Sequence, residues 1–173
     1  MLKMLSVIPL LLFLTICAQA QDDFPRVQIS ATYANLKLPS GGTTTARHTG
    51  FSTQAGFNFS PWLGVENHLG LYRLGFGTTL ITDIVGVRPT GRPLSGSTVV
   101  PYGVIGYGVG HITASNSRYA QGNVPAIRLS GGLEFRIRKP LSARVEMGRL
   151  WLRSGIAQSG LNGTAGLVFN LLN

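Results

Sequence analysis

What most restricts the fold of this 173-residue chain is a two-residue rhythm. In segment 26–33, Arg26-Val27-Gln28-Ile29-Ser30-Ala31-Thr32-Tyr33, the odd positions are apolar and the even positions polar. The alternation returns in 51–59, 127–138, 143–148 and 163–171, and more weakly in 63–72, 79–88 and 99–112. A period of two sends successive side chains to opposite faces, the pattern of a strand whose two sides meet different surroundings. No window keeps the 3.6-residue spacing of an amphipathic helix. Nor does any apolar run after Gln21 approach the ~20 residues of a membrane-spanning helix. The reading is eight strands, each near the roughly 9–11 residues that a tilted membrane strand requires.

Alternation alone does not say which face looks inward. A lipocalin-like barrel keeps its apolar face inside, whereas a membrane barrel turns it out to lipid. Charge content separates the two. Only 12% of residues are charged, while 44% are hydrophobic and 23 are glycine. A soluble domain of this size carries roughly 25–35% charged residues on its surface. Here the polar face is mostly Gly, Ser, Thr, Asn and Gln, which suits a narrow lumen. Lipid offers no hydrogen-bond partner, so a sheet with an apolar exterior must close on itself. The expected fold is all-β, a closed eight-stranded antiparallel up-and-down transmembrane β-barrel. Its lumen is just wide enough for side chains, so it should be plugged.

The amino terminus supports the same compartment. Lys3 gives a short positive region, 6–16 is apolar but too short to span, and Ala18-Gln19-Ala20 is an A-x-A cleavage site. Residues 1–20 read as a secretory signal and 21–173 as the barrel domain. The single cysteine, Cys17, falls within the signal, and no metal-ligand cluster, cofactor motif or phosphate loop appears. Fifteen Lys and Arg against six Asp and Glu make the chain basic. These charges are dispersed and the chain is exported, so a nucleic-acid partner is not expected.

Connections 60–62 and 139–140 are short, as periplasmic turns are; 37–50, 113–123 and 153–160 are longer and read as outer loops. Two connections depart from that scheme: 73–78 is a short outer loop and 89–97 a long inner one. Parity assigns a lumenal charge network of Glu66, His68, Arg128, Glu134, Arg136, Arg144 and Glu146, with Glu134 facing Arg144 directly or diagonally. Three of the four acids beyond Asp23 thereby fall where arginines neutralise them. Keeping even residues inward on both strands that flank 139–140 requires a turn of odd effective length. Aromatic residues gather near strand ends, as interface belts require. Phe57, Phe59, Trp62, Phe135 and Phe169 lie toward the inner rim, and Tyr33, Phe51, Tyr72 and Trp151 toward the outer one. Lys37, Arg47, Arg73, Arg118, Arg149 and Arg153 form an outer basic set that could contact lipopolysaccharide phosphates.

The order of several short motifs resembles a known family. Pro61-Trp62-Leu63-Gly64-Val65-Glu66 follows a short turn, and Pro101-Tyr102-Gly103 leads into Gly106-Tyr107-Gly108. Gly131-Gly132-Leu133-Glu134-Phe135, Ala143-Arg144-Val145-Glu146 and the closing Gly166-Leu167-Val168-Phe169 complete the set. With this order the chain resembles the small outer-membrane β-barrel proteins of the OmpA/OmpX type, in the barrel-only form without a peptidoglycan-binding domain. That resemblance implies insertion by the outer-membrane assembly machinery and residence among outer-membrane lipid and lipopolysaccharide. The expected function is non-enzymatic: a structural or surface-binding role through the outer loops. A narrow channel for very small solutes is one alternative. A lipid A-modifying enzyme is another, since the lipid A deacylases use a His, a Ser two residues later and an adjacent Asn. Here Gly110-His111-Ile112-Thr113-Ala114-Ser115-Asn116 displaces that pair by two residues. No catalytic residue is therefore assigned, and His111 reads as a rim residue.

Overall fold

In a computed structural model, which describes residues 24–39, 45–75, 77–91, 98–114, 122–153 and 157–172, the chain forms eight strands. These are β1 (Val27–Pro39), β2 (Thr45–Ser60), β3 (Leu63–Gly75), β4 (Thr78–Pro89), β5 (Val99–Ala114), β6 (Gly122–Arg138), β7 (Leu141–Arg153) and β8 (Ala157–Leu172). Each pairs antiparallel with its sequence neighbours, and β8 returns to pair with β1, closing the barrel. The expected signal segment, residues 1–20, lies outside the described residues.

One rule governs every strand. All residues buried in the barrel are even-numbered, and the exposed large hydrophobic residues within strands are all odd-numbered. A two-residue hairpin breaks such parity, because it pairs residue i with i+3. The three short connections show how the chain avoids this. Ser60 pairs with Leu63, Gly75 with Thr78 and Arg138 with Leu141, each matching an even to an odd position. A β-bulge follows in each case, and pairing resumes as Asn58 with Gly64, Arg73 with Thr79 and Arg136 with Ser142. The bulged residue adds one to the effective turn and restores even-inward parity. Between β3 and β4, Gly75 at φ +88° and Gly77 at φ +71° take left-handed backbone that a side chain would strain.

The register also sets the tilt. From Val27 the pairing runs through Phe57, Val65, Val87, Ile105, Leu129, Arg149 and Leu161. It then meets β1 again at Lys37, ten residues further along the strand. Such a stagger in an eight-stranded barrel tilts the strands and leaves an interior that side chains fill.

The strands run 12 to 17 residues, beyond the roughly 9–11 that cross a membrane. Their extra length lies at the outer end, opposite the short turns 61–62 and 139–140, and there the chemistry inverts without a change of parity. Near the periplasmic end β1 points Gln28, Ser30 and Thr32 inward and Ile29, Ala31 and Tyr33 outward. Toward the outer end it points Leu36 and Leu38 inward and Lys37 outward. Likewise β7 carries Arg144 and Glu146 inward first, then Leu150 and Leu152. Ala34, Leu36, Leu38, Tyr72, Leu80, Ile84, Ala126, Leu150 and Leu152 form one buried apolar cluster inside the barrel. The outer third thus has the polarity of a soluble barrel standing on a membrane barrel.

This inversion corrects three sequence expectations. Much of 37–50, 113–123 and 153–160, read as outer loops, is paired strand: Pro39 faces Thr45, Ile112 faces Gly122 and Arg153 faces Ala157. The apolar-odd alternation stops before these segments, with leucines taking even positions at Leu36, Leu38, Leu150 and Leu152, so the strands' outer ends were not recognisable. Tyr72, placed in the outer aromatic belt, is instead buried in the lumen, where its hydroxyl accepts a 2.8 Å hydrogen bond from Asn162 Nδ2. The lumen itself, expected to be polar throughout, is apolar in its outer third.

Candidate functional site: a sealed lumen and a basic outer collar

The periplasmic half of the lumen is ionic. Glu134 Oε2 sits 2.9 Å from Arg88 Nη2 and 3.1 Å from Arg144 Nη2. The same two guanidiniums reach Glu66 Oε2 at 3.9 and 3.7 Å. One layer outward, Arg128 pairs with Glu146, whose other oxygen accepts a 2.8 Å bond from the Tyr102 hydroxyl. The Arg88 and Arg144 guanidiniums also lie 4.6 and 4.8 Å from the centroid of the Tyr102 ring. Gln28 and Gln54 accept from these arginines, and Gln28 Nε2 donates to Asn170 Oδ1 at 2.8 Å. Three buried arginines are balanced by three buried glutamates. Buried charges cost several kcal/mol unless paired and hydrogen-bonded; here each guanidinium has a carboxylate against it, and Arg88 and Arg144 have a glutamine amide and the Tyr102 ring as well.

Of the expected network, the structure brings together Glu66, Arg128, Glu134, Arg144 and Glu146. It also places His68 in the same buried lumen. Glu134 and Arg144 are direct cross-strand partners. Arg136 is a correction. It keeps inward parity, but β6 outruns its neighbours there, and the side chain is exposed at the periplasmic mouth. Sequence reading missed Arg88, Tyr102, Gln28 and Gln54. All four are even-numbered strand residues, so the parity rule carried to the strand ends would have found them.

Outside the lumen the balance disappears. Among the described residues Asp83 is the only acid that faces outward, against Lys37, Arg47, Arg73 and Arg153 at the outer end and Arg149 four residues below Arg153 on β7. Lys37 and Arg47 are direct cross-strand partners, and Leu161 alone separates Lys37 from Arg149 along the register. With the tilt taken into account, Arg73 and Arg153 fall near the height of Lys37 and Arg47. Arg118 lies outside the described residues. The collar sits immediately above a belt of exposed apolar side chains that includes Tyr33 and Phe51, whose rings meet edge to face at 6.2 Å.

His111 also faces outward at this level, and its Nδ1 lies 2.7 Å from Asn123 Oδ1. Thr113 shares its face, while Ser115 and Asn116 lie outside the described residues. Among the described residues no group of three His, Cys, Asp or Glu side chains gathers to hold a metal.

The architecture is shared with solved structures. Neisserial surface protein A is 11% identical, with a TM-score of 0.71 over 84% of this chain and 97% of that one. Ail, the attachment invasion locus protein of Yersinia pestis, is 18% identical with a TM-score of 0.57, covering 83% of this chain and 97% of its own. The N-terminal β-barrel domain of Pseudomonas aeruginosa OprF is 14% identical, with a TM-score of 0.54 over 82% and 97%. Among curated proteins, none matches this sequence. The family model for the outer membrane protein beta-barrel domain matches residues 6–169. Closed topology, an apolar exterior and this match agree: the chain belongs to the outer-membrane β-barrel family, of the small OmpA/OmpX type, and resides in the outer membrane.

Proposed function

We propose that this protein is a non-enzymatic barrel, closed to solute flow, that works at its outer rim by holding the phosphate groups of lipopolysaccharide on its basic collar. The observation that carries this reading is the distribution of charge. Lumenal arginines are matched one for one by glutamates, whereas the outward-facing Lys37, Arg47, Arg73 and Arg153 stand at the membrane's outer boundary with no outward acid at their level among the described residues. Arginine and lysine at a lipid surface attract anionic headgroups, and arginine forms bidentate bonds with phosphate.

Because strand pairing extends to Pro39, Thr45 and Arg153, the collar stands on rigid sheet. Surface binding then belongs to strand ends more than to long loops. The channel alternative is opposed by the buried leucine cluster across the outer third of the lumen, which gives water no polar path.

Binding of lipopolysaccharide to the barrel in neutral phosphatidylcholine vesicles tests the proposal. Each collar cation contributes about 1 kcal/mol. The combined Lys37→Gln, Arg47→Gln, Arg153→Gln variant should therefore bind about a hundredfold more weakly and with a shallower salt dependence. Unchanged affinity and salt dependence would overturn it.

A further inference from the structure

Two outward-facing charges of opposite sign sit in apolar surroundings on different sides of the barrel. Asp83 on β4 has Leu69 and Val109 as its cross-strand neighbours and Ile81 and Val85 along its own strand. Arg149 on β7 has Leu129 and Leu161 across and Met147 and Trp151 along the strand. Asn67 Nδ2 donates a 2.6 Å hydrogen bond to Asp83 Oδ1, which satisfies one lone pair and leaves the charge. An ionised side chain facing lipid calls for a partner of opposite sign.

The two charges lie at one height. The register row through Arg149 crosses Leu129 and Ile105 and meets β4 at Val87. The barrel's stagger lifts that row by about four residues over three strands, and four residues outward from Val87 on β4 is Asp83. The barrel wall keeps them from meeting within one molecule. In a second copy standing upright in the same membrane, an Asp83 face meets an Arg149 face at matching depth.

We propose that copies of this chain associate laterally, head to tail, with Asp83 of one barrel paired to Arg149 of the next. The surfaces also fit in shape. When β4 of one barrel opposes β7 of another, the shared handedness brings β3 against β8, and Leu69 falls opposite Gly163. Leu69 is 45% exposed and projects outward. At Gly163 a side chain would meet nothing nearer than the Glu146 carbonyl oxygen, 4.0 Å away, so the glycine leaves an open notch on the outer surface. The contact uses two different faces. It is therefore heterologous and builds rows or rings of barrels, a geometry distinct from a closed twofold pair. This inference does not depend on the lipopolysaccharide reading.

Two differently tagged variants, Leu69→Cys and Gly163→Cys, leave both charges intact and test the contact when coexpressed in outer membranes. A short bismaleimide should give mixed-tag dimers and no dimers from either variant alone. Adding Asp83→Arg to the Leu69→Cys chain should cut the product about tenfold, the effect of losing one favourable charge pair. Adding Arg149→Asp to the Gly163→Cys chain should then restore it. Folding of each variant is read independently from its unboiled gel mobility. Equal crosslinking in single-variant membranes, no crosslinking at any density, or a folded double reversal that fails to recover would each overturn the proposal. So would indifference to Asp83→Arg, which would leave Arg149 serving lipid phosphates alone.

Discussion

Glu134 shows how much one lumenal side chain controls. It is the near counterion of two arginines, at 2.9 and 3.1 Å, whereas Glu66 meets the same pair only at 3.9 and 3.7 Å. Removing one partner of a buried pair leaves a desolvated charge and costs about 3–5 kcal/mol. Glu134→Ala should fall in that range, because Arg88 and Arg144 would face each other with only the more distant Glu66 between them. Glu66→Gln should cost clearly less, since the nearer carboxylate remains. Urea unfolding of the barrel in vesicles, followed by loss of the unboiled mobility form, ranks the two. Equal cost would show that the shorter contacts carry no special share. At this scale the sequence was informative wherever a charge fell on a recognised strand, and Glu134 opposite Arg144 was legible from parity alone. Parity also marks Arg88 and Tyr102 as lumenal, but that they meet Glu134 and Glu146 was not legible, because which lumenal residues touch depends on the tilt.

For the strands, everything turns on keeping even residues inward through seven connections. Ile137 is the bulged residue that lets β6 and β7 share parity across the 139–140 turn. Deleting it should leave a regular two-residue hairpin, because Arg138 still meets Leu141 and Arg136 still meets Ser142, so the side chains of β7 keep their faces. The compact form should therefore survive in unboiled samples. Its loss in an otherwise expressible variant would count against parity as the controlling factor. The eight strands were legible in their membrane-crossing parts, where apolar residues recur at odd positions. Beyond the belt, leucines at 36, 38, 74, 80, 150 and 152 move to even positions, and the same strand no longer looks like its continuation.

The whole molecule stacks two barrels of opposite polarity in one continuous sheet. An ionic network fills the membrane-embedded part, and an apolar cluster fills the outer part. The two layers should block conduction independently. The protein in a planar bilayer should show no steady openings, and substitution of Leu80 and Leu152 by serine should leave it closed while the arginine–glutamate layer stays intact. Steady unit conductance from the unmodified protein would establish the channel reading. Charge outside the lumen is concentrated at the two membrane surfaces, with Arg26, Arg136 and Arg138 exposed at the periplasmic end and the collar at the outer one.

Periodicity and low charge by themselves determined that this chain would close into an eight-stranded membrane barrel with its ions inside. Alternation is a local property, and a sheet with a greasy exterior has no stable open form in lipid. Only the tertiary structure decided where the membrane stops along each strand, that Arg88 joins Arg144 on Glu134, and that Asp83 and Arg149 stand level on separate sides. Those facts depend on the stagger between strands far apart in sequence, which no local pattern of residues encodes.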